Sequence, residues 1–310
     1  MSTCTAASQD LDEPLAGTAA TARTWLLIEQ PGPWGAKALT SSHLDPEVGR
    51  ALEAAADGTG VRVALVRRPG RHADRHGPAR HQVYVAHTTP GNTWLRNTTV
   101  DAPAELLQLD FAALGSGDHG GFGEPHTGAP LALVCTNGKR DRCCALLGRP
   151  LAAELALSGE QDVWEVTHLG GHRFSPTLLV LPYGYAYGRA VAADVKEVLD
   201  AVRASRIVTR GCRGNSAWDR PGQAAELAVR RTARENGADT LSVIRTEAAQ
   251  DAQDAPRWEV TVAHTDGRHW QVTVAQGASL PPRPESCGAA LGSPARMDVV
   301  AVREVPAPRA

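Results

Sequence analysis

The sequence has no apolar run that reaches the roughly 18 residues needed to span a membrane. Its N-terminus lacks the basic start and the apolar stretch of a secretory signal. Basic residues do not form a surplus either, because 32 Lys and Arg face 34 Asp and Glu and the formal net charge is −2. These absences predict a cytoplasmic protein that neither enters a membrane nor offers a basic face to nucleic acid.

Familiar cofactor fingerprints are also missing. No strand is followed by the Gly-x-Gly-x-x-Gly motif of dinucleotide sites, and no Walker motif is present. No pair of carboxylates lies in a setting that suggests a glycosidase. An enzyme with a substrate pocket between two halves of the chain stays open as an alternative, but the sequence gives it no cofactor signature.

The chain of 310 residues, with 42% hydrophobic and 21% charged residues, is long enough for two or three compact units. Residues 1–22 are polar and predict a disordered tail. Residues 23–125 read as an N-terminal α/β region that ends in a Gly-rich linker, and residues 126–205 as a second α/β domain. Residues 206–310 read as an α+β extension with a hairpin and an irregular, Pro-rich tail.

The two α/β segments share one order of predicted elements: strand, helix, strand, strand, strand, helix. This order predicts an α/β fold with a degenerate structural repeat. The first copy contains no cysteine, so a second copy of any cysteine site is excluded there. The predicted helices run from Pro46 to Ala56, Ala104 to Leu114, Cys144 to Leu157, Ala192 to Arg203 and Gln223 to Asn236.

The six cysteines are unevenly spread, and three of them, Cys135, Cys143 and Cys144, fall on one loop after a predicted strand. Without a secretory signal, they favour reduced thiols, metal ligation or redox chemistry over a disulfide framework. The run His168-Leu169-Gly170-Gly171-His172 follows the next predicted strand. Loops held by a rigid sheet are where binding sites are commonly built. The cysteines and histidines together therefore predict a metal or cluster site.

Thiolate and imidazole ligands suit both iron and zinc. Iron in a [2Fe–2S] cluster prefers thiolates, and imidazole can replace two of them. The His-x3-His spacing also occurs in zinc fingers, but those pair it with cysteines two to four residues apart. Cys135 and Cys144 are separated by eight residues, which favours a cluster. A structural zinc-binding interaction protein with a Cys2His2 site stays open as the alternative.

Cys143 stands beside Cys144, so the spacing alone leaves the second thiolate ambiguous. A buried cysteine is usually a small hydrophobe, and that role is expected of Cys143. An adjacent thiol redox pair is disfavoured because neighbouring cysteines form strained disulfides and the motif is not Cys-x-x-Cys. Four basic residues near the ligands would favour ionised thiols and an acidic reductase or carrier as partner: Lys139, Arg140, Arg142 and Arg173.

These motifs resemble those of the sucrase/ferredoxin-like proteins, a branch of the thioredoxin-like ferredoxins. The specific part is the Cys135 and Cys144 pair with the run from His168 to His172. The resemblance covers residues 23–275. Further matching segments are Trp25-Leu26-Leu27-Ile28-Glu29, Pro33-Trp34-Gly35, Arg173-Phe174-Ser175-Pro176-Thr177-Leu178-Leu179, Tyr187-Gly188-Arg189, Arg210-Gly211 and Gln223-Ala224-Ala225-Glu226.

The resemblance implies a thioredoxin-like domain that binds a [2Fe–2S] cluster, with Cys135 and Cys144 on one iron and His168 and His172 on the other. It also implies an electron carrier or the redox component of a larger enzyme, and raises the expectation of a cis peptide bond at Pro176. The sequence does not support sucrase activity. If the outer histidine nitrogens face water, a proton would accompany the electron. The redox partner is not named by the sequence.

Overall fold

A computed structural model describes residues 3–70, 80–160, 162–249 and 255–307. In these ranges the chain forms one ten-stranded mixed sheet with helices against it and a separate four-stranded antiparallel sheet. No helix in the described ranges is long and apolar enough to cross a membrane.

The elements have the following bounds. The strands are β1 Thr24–Glu29, β2 Val61–Arg67, β3 His81–His87, β4 Trp94–Val100, β5 Glu124–Pro125, β6 Leu131–Cys135, β7 Val163–Val166, β8 Leu178–Leu181, β9 Tyr185–Tyr187, β10 Cys212–Asn215, β11 Leu241–Ala248, β12 Arg257–His264, β13 His269–Ala278 and β14 Ala295–Val305. The α-helices are α1 Cys4–Asp10, α2 Pro46–Ala56, α3 Phe111–Ser116, α4 Arg149–Leu157, α5 Ala192–Arg203 and α6 Arg220–Ala233.

The large sheet contains the predicted repeat. Its strand order is β10-β9-β8-β6-β7-β2-β1-β3-β4-β5. In the first half β1 pairs parallel with β2 and antiparallel with β3, and β3 continues into the hairpin with β4. In the second half β6 pairs parallel with β7 and antiparallel with β8, which continues into β9. Each half is thus a parallel crossover followed by a hairpin, consistent with a thioredoxin-like fold.

The two halves meet at the seam between β2 and β7. These strands pair antiparallel, with Val66 opposite Val166 and Arg67 opposite Glu165. One sheet therefore continues across residues 125 and 126, and β10, from the predicted extension, adds to its edge beside β9. The division of the chain into domains at these positions stays a prediction.

Burial on both faces explains the apolar central strands. On β1, Leu26 and Ile28 pack with Leu52 of α2 in one core cluster, while Trp25 and Leu27 face the opposite side of the sheet in another. Strands covered on both faces read as continuous apolar runs. The loops that follow β6 and β7 leave this sheet at the ends of two neighbouring strands.

Helix signals in the sequence are strong where a cap and a proline coincide. The Asp45 carboxylate accepts the N–H of Glu47 at 2.7 Å and Pro46 opens α2, as the sequence predicts. The helix expected over residues 104–114 is instead two segments, the 3₁₀-helix Pro103–Gln108 and α3. Asp110 divides them because its side chain accepts the Ala113 N–H at 2.9 Å and caps α3.

The helix expected from Cys144 to Leu157 also begins differently. Residues Cys144–Gly148 form one π-helical turn, and α4 follows with Pro150 in its first turn. Proline lacks an N–H to continue an α-helix from the preceding turn, so the change of helix type falls there. The peptide bond between Ser175 and Pro176 is cis, as expected.

The C-terminal sheet packs on α6. Strands β12 and β13 form the predicted hairpin, and β11 pairs with β12. The tail was expected to be irregular, but β14 pairs with β13 from Ala295 to Val305. Flanking prolines conceal this strand in the sequence, while the long partner β13 provides the hydrogen-bonding edge that orders it.

Residues 3–22 are ordered where a disordered tail is expected. Helix α1 begins with Thr3 as its cap, and Cys4 and Ser8 are fully buried. Glu13 is 2% exposed and forms ion pairs with Arg173 at 2.8 Å and Arg283 at 3.0 Å. Polar composition alone suggests disorder, but these distant partners supply the interactions that fix the segment.

Candidate metal centre

Cys135 and Cys144 are brought together by a short loop and a close backbone approach. Cys135 is the last residue of β6, and Cys144 opens the π-helical turn that follows the cysteine loop, residues 136–143. Gly148 packs beneath Cys135, where a Cβ atom would lie 2.2 Å from the Cys135 carbonyl oxygen. Glycine at that position therefore allows the turn that carries Cys144 to lie directly against the end of β6.

His168 and His172 are brought side by side by the Gly-Gly turn. Gly170 and Gly171 have φ values of 72° and 70°, in the left-handed region that favours glycine. The turn reverses the chain after β7, and the two imidazole rings stack with centroids 4.7 Å apart and an interplanar angle of 27°. The two glycines therefore allow the turn that places the histidine rings side by side.

The thiols and imidazoles form one group at the ends of β6 and β7. Cys144 Sγ lies 3.4 Å from His172 Nδ1 and 3.6 Å from Ser175 Oγ. The Cys135 thiol interacts with Cys144 and His168. Both thiols are buried, at 1% and 0% exposure, and His172 is 9% exposed. The structure thus brings all four predicted ligands together.

Charge in this group is unevenly shared. Hydrogen bonding with Cys144 and the nearby His168 imidazole lower the pKa of Cys135 well below its usual range, although burial opposes this. The pKa of Cys144 is raised because it hydrogen-bonds the Cys135 thiolate and is itself buried. Burial and the neighbouring His168 lower the pKa of His172. Ionisation is therefore easier at Cys135 than at Cys144, and a bound cation would favour ionisation of both thiols.

A buried polar atom supports binding of a metal. His168 Nδ1 is buried and has no hydrogen-bond partner within the described part of the chain. Buried polar atoms are nearly always satisfied in folded proteins, and an unsatisfied one calls for an explanation such as a bound ion. An imidazole nitrogen beside thiols is a donor that iron and zinc both accept.

Asp141 belongs to this site and was missed from the sequence. Its carboxylate, Cys144 Sγ and a ring nitrogen of His172 all lie within 4.8 Å of one another, an arrangement that could hold a metal ion. Asp141 is only 3% exposed, and its carboxylate accepts the Cys143 N–H at 2.8 Å. It stands between Arg140 and Arg142 in a loop that reads as basic, so nothing in the sequence pattern singles it out.

The adjacent cysteines face different ways. Cys144 Sγ faces His172, whereas Cys143 Sγ lies 3.5 Å from Cys4 Sγ and 3.2 Å from Cys287 Sγ. This geometry favours Cys144 over Cys143 as the partner of the histidines. Cys143 is buried, as expected, but its neighbours are thiols, so its predicted role as a small hydrophobe does not describe its surroundings.

The basic surface next to the predicted ligands contains three of the four expected residues, because Arg173 is buried. Arg173 is 7% exposed and pairs with Glu13 and with Glu285 at 3.0 Å, so it does not contribute to a charged surface. Its place next to His172 suggested otherwise, but the N-terminal segment covers it. The exposed basic residues of the cysteine loop are Lys139, Arg140 and Arg142.

A cleft connects His168 with solvent. It has a volume of about 600 Å³ and lies between the first half of the sheet and the cysteine loop, with His168 in its wall. Lys37, Arg62 and Arg140 also line it. Arg62 donates a 3.0 Å hydrogen bond to the His168 carbonyl oxygen. The acidic residues Glu53 and Asp57 line it as well, so the cleft gives access to His168 but has no uniformly basic wall.

Comparison with known proteins gives one match. The family model described as sucrase/ferredoxin-like matches residues 15–214, which include both halves of the large sheet and all four predicted ligands. Neither the curated proteins nor the solved structures give a match. The matched segment covers well over half of the chain and contains a Cys/Asp/His group that could bind a metal. The chain therefore belongs to the sucrase/ferredoxin-like family.

Proposed function

We propose that this protein transfers single electrons through a [2Fe–2S] cluster held by Cys135, Cys144, His168 and His172. The observation that carries the proposal is the meeting of two thiols and two imidazoles at the ends of neighbouring strands, with the 3.4 Å contact between Cys144 Sγ and His172 Nδ1 at its centre. The buried, unpartnered His168 Nδ1 fits the same role.

The donor set suits a two-iron cluster because thiolates and imidazoles both ligate such iron. When bound, the cluster supplies one-electron chemistry. The protein's own residues bury the two thiols, orient the two imidazoles by the Gly-Gly turn and hold the cysteine loop against β6. Membership of the sucrase/ferredoxin-like family supports this proposal.

Delivery of electrons to and from the site would occur at the cleft and the adjoining basic residues of the cysteine loop. His168 lies in its wall, and Arg140 belongs both to the cleft and to the exposed cysteine loop. Complementary charge steers association of redox proteins. The proposed partner is therefore a reductase or carrier with an acidic surface. The proposal includes a cytoplasmic location, where thiols stay reduced, and all six cysteines are free in the structure.

The test uses full-length protein purified without air. We expect visible absorption, an electron paramagnetic resonance signal on one-electron reduction, and two iron atoms with two acid-labile sulfides at this site per chain. A colourless protein that holds zinc at these four residues and contains no sulfide would contradict the proposal and favour the structural zinc alternative.

Matched variants identify the ligands. Cys135→Ser, Cys144→Ser, His168→Ala and His172→Ala should each lose most of the iron and sulfide. Cys212→Ser is the control because Cys212 is also buried, at 2% exposure, and belongs neither to the cysteine–histidine group nor to the cluster of Cys4, Cys143 and Cys287. Cys143→Ser should also keep the cluster. Loss of the cluster in Cys143→Ser with retention in Cys144→Ser would show that the second thiolate is Cys143.

A further inference from the structure

Three thiols that the proposed cluster does not use converge elsewhere. Cys4 Sγ lies 3.5 Å from Cys143 Sγ and 3.6 Å from Cys287 Sγ, and the latter two are 3.2 Å apart. They come from helix α1, the cysteine loop and the C-terminal segment, so 139 to 283 positions separate them in sequence. Cys4 and Cys143 are buried and Cys287 is half-buried.

A carboxylate completes this group. The Asp141 oxygens lie 3.9 and 4.0 Å from Cys4 Sγ, and all four candidate donor atoms lie within 4.8 Å of one another. One Asp141 oxygen accepts the Cys143 N–H and the other the Cys287 N–H, each at 2.8 Å. Asp141 therefore fixes the backbone of two cysteines while its remaining lone pairs face the thiols.

Ion pairs hold the segments that carry this group together, and those of Glu13 are buried. Glu13, which follows α1, binds both Arg173 and Arg283, and Glu285 also binds Arg173. These contacts bring residues 281–287 against the N-terminal segment. Thr5 Oγ1 donates to the His172 carbonyl oxygen at 3.2 Å and ties α1 to the histidine turn. The segments that carry Cys4 and Cys287 are thus held in place by specific contacts.

The distances fit a tetrahedral ion. A zinc–sulfur bond of about 2.3 Å implies sulfurs roughly 3.8 Å apart at the tetrahedral angle. The observed 3.2–3.6 Å are a few tenths of an ångström shorter, whereas a disulfide would require about 2.05 Å. Three thiols cannot all be satisfied by disulfide pairing. Soft thiolates with one carboxylate oxygen form a donor set that zinc accepts.

We propose that Cys4, Cys143, Cys287 and Asp141 bind one zinc ion, in a second metal site that adjoins the cysteine–histidine group at Asp141 and uses none of the four proposed cluster ligands. Binding would release the three thiol protons, and the three sulfurs and one Asp141 oxygen would bond to the ion. The ion would join the two ends of the chain to the cysteine loop. Cys4 and Cys287 lie outside the family-matched residues 15–214, and the proposal does not depend on the nature of the cluster.

The first measurement is zinc, iron and sulfide per full-length chain after incubation with Zn²⁺ and removal of excess metal. We expect one zinc per chain in the wild type and in Cys212→Ser. Cys287→Ser and Cys4→Ser should each lose it while keeping their iron and sulfide. Cys287→Ser is the safer variant for folding because Cys287 is half-buried, and circular dichroism checks both.

A second variant distinguishes the two sites. Cys144→Ser, which should lose the cluster, should still bind one zinc ion, so zinc and cluster would be lost independently. Substitution of cobalt for zinc in the Cys144→Ser protein should give sulfur-to-cobalt charge-transfer absorption that Cys287→Ser lowers. Absence of bound zinc in the wild type, zinc retained in both Cys4→Ser and Cys287→Ser, or iron in its place would overturn the proposal.

Discussion

The buried ion pair at the seam joins the two halves of the sheet. Arg67 Nε and Nη2 donate to Glu165 Oε2 at 2.9 and 2.7 Å, and the side chains are 5% and 4% exposed. Arg67 also donates to the Gly32 carbonyl oxygen and lies 3.9 Å from the centroid of Trp34. Thr136, at the start of the cysteine loop, donates to Glu165. The pair therefore connects the seam with the cysteine loop of the candidate metal centre.

Glu165→Gln keeps the side-chain size but removes the carboxylate that compensates Arg67. Loss of one partner from a buried pair costs about 3–5 kcal/mol, so the folding equilibrium should fall by about two to three and a half orders of magnitude. Glu247→Gln is the control, because Arg245 and Glu247 form an exposed pair with side chains 66% and 52% accessible. An exposed pair contributes about 1 kcal/mol or less.

Urea unfolding followed by tryptophan fluorescence measures these differences, with metal content held constant among variants. The double variant Arg67→Met/Glu165→Leu should recover most of the stability, because apolar residues of similar volume often replace a buried pair at no cost. A loss below about 1 kcal/mol in Glu165→Gln, equal to that of the exposed control, would refute the reasoning. A double variant as unstable as the single one would show that losing the contacts of Arg67 with Trp34 and Gly32 costs as much as leaving its charge unpaired.

Three further outcomes are expected. Burial opposes ionisation of Glu13, but hydrogen bonds from Arg283 and the charge of Arg173 hold its pKa below its usual range. The stabilisation from ionised Glu13 is therefore complete above its pKa in the unfolded chain, near 4.5, and is lost as pH falls through the lower pKa of the folded protein. In urea unfolding, Glu13→Gln should lower the free energy of unfolding at pH 7 and weaken the dependence of that free energy on pH in acid. Arg140→Gln/Arg142→Gln should slow electron delivery by an acidic reductase several-fold at low salt and little at high salt in stopped-flow traces, whereas an unchanged low-salt rate would contradict docking at the cysteine loop. The cluster potential should lie above the roughly −400 mV of plant-type clusters in protein-film voltammetry, because two neutral imidazoles replace two thiolates and make the site less negative.

Much of the fold follows from local signals. Strands β1 and β6 are predicted from their own apolar runs, and the start of α2 is predicted from Asp45 and Pro46. Each of these signals lies within a few neighbouring residues. The four predicted ligands could be named because each pair lies close together in sequence at the end of a strand. The family match covers these residues, although neither it nor the structure identifies the metal.

What the sequence could not show depends on distant contacts. Asp141 is significant only because the fold brings Cys144, His172 and Cys4 close to its carboxylate. The order of residues 3–22 depends on Arg173 and Arg283, far along the chain. Strand β14 is likewise ordered by pairing with β13 rather than by a clear local pattern.

The antiparallel seam has the geometry of an isologous dimer. The second strand of each half, β2 or β7, lies at the edge of that half, and these two edge strands pair with each other. A two-fold axis between β2 and β7 would therefore superpose the strand order of one half on that of the other. Two identical single units joined through these edges would give the same eight-stranded arrangement, with the self-complementary contact of a symmetric homodimer. Fusion of two such units into one chain would then free one copy to lose its cysteines and become the opposite wall of the cleft, while the other retained the metal ligands.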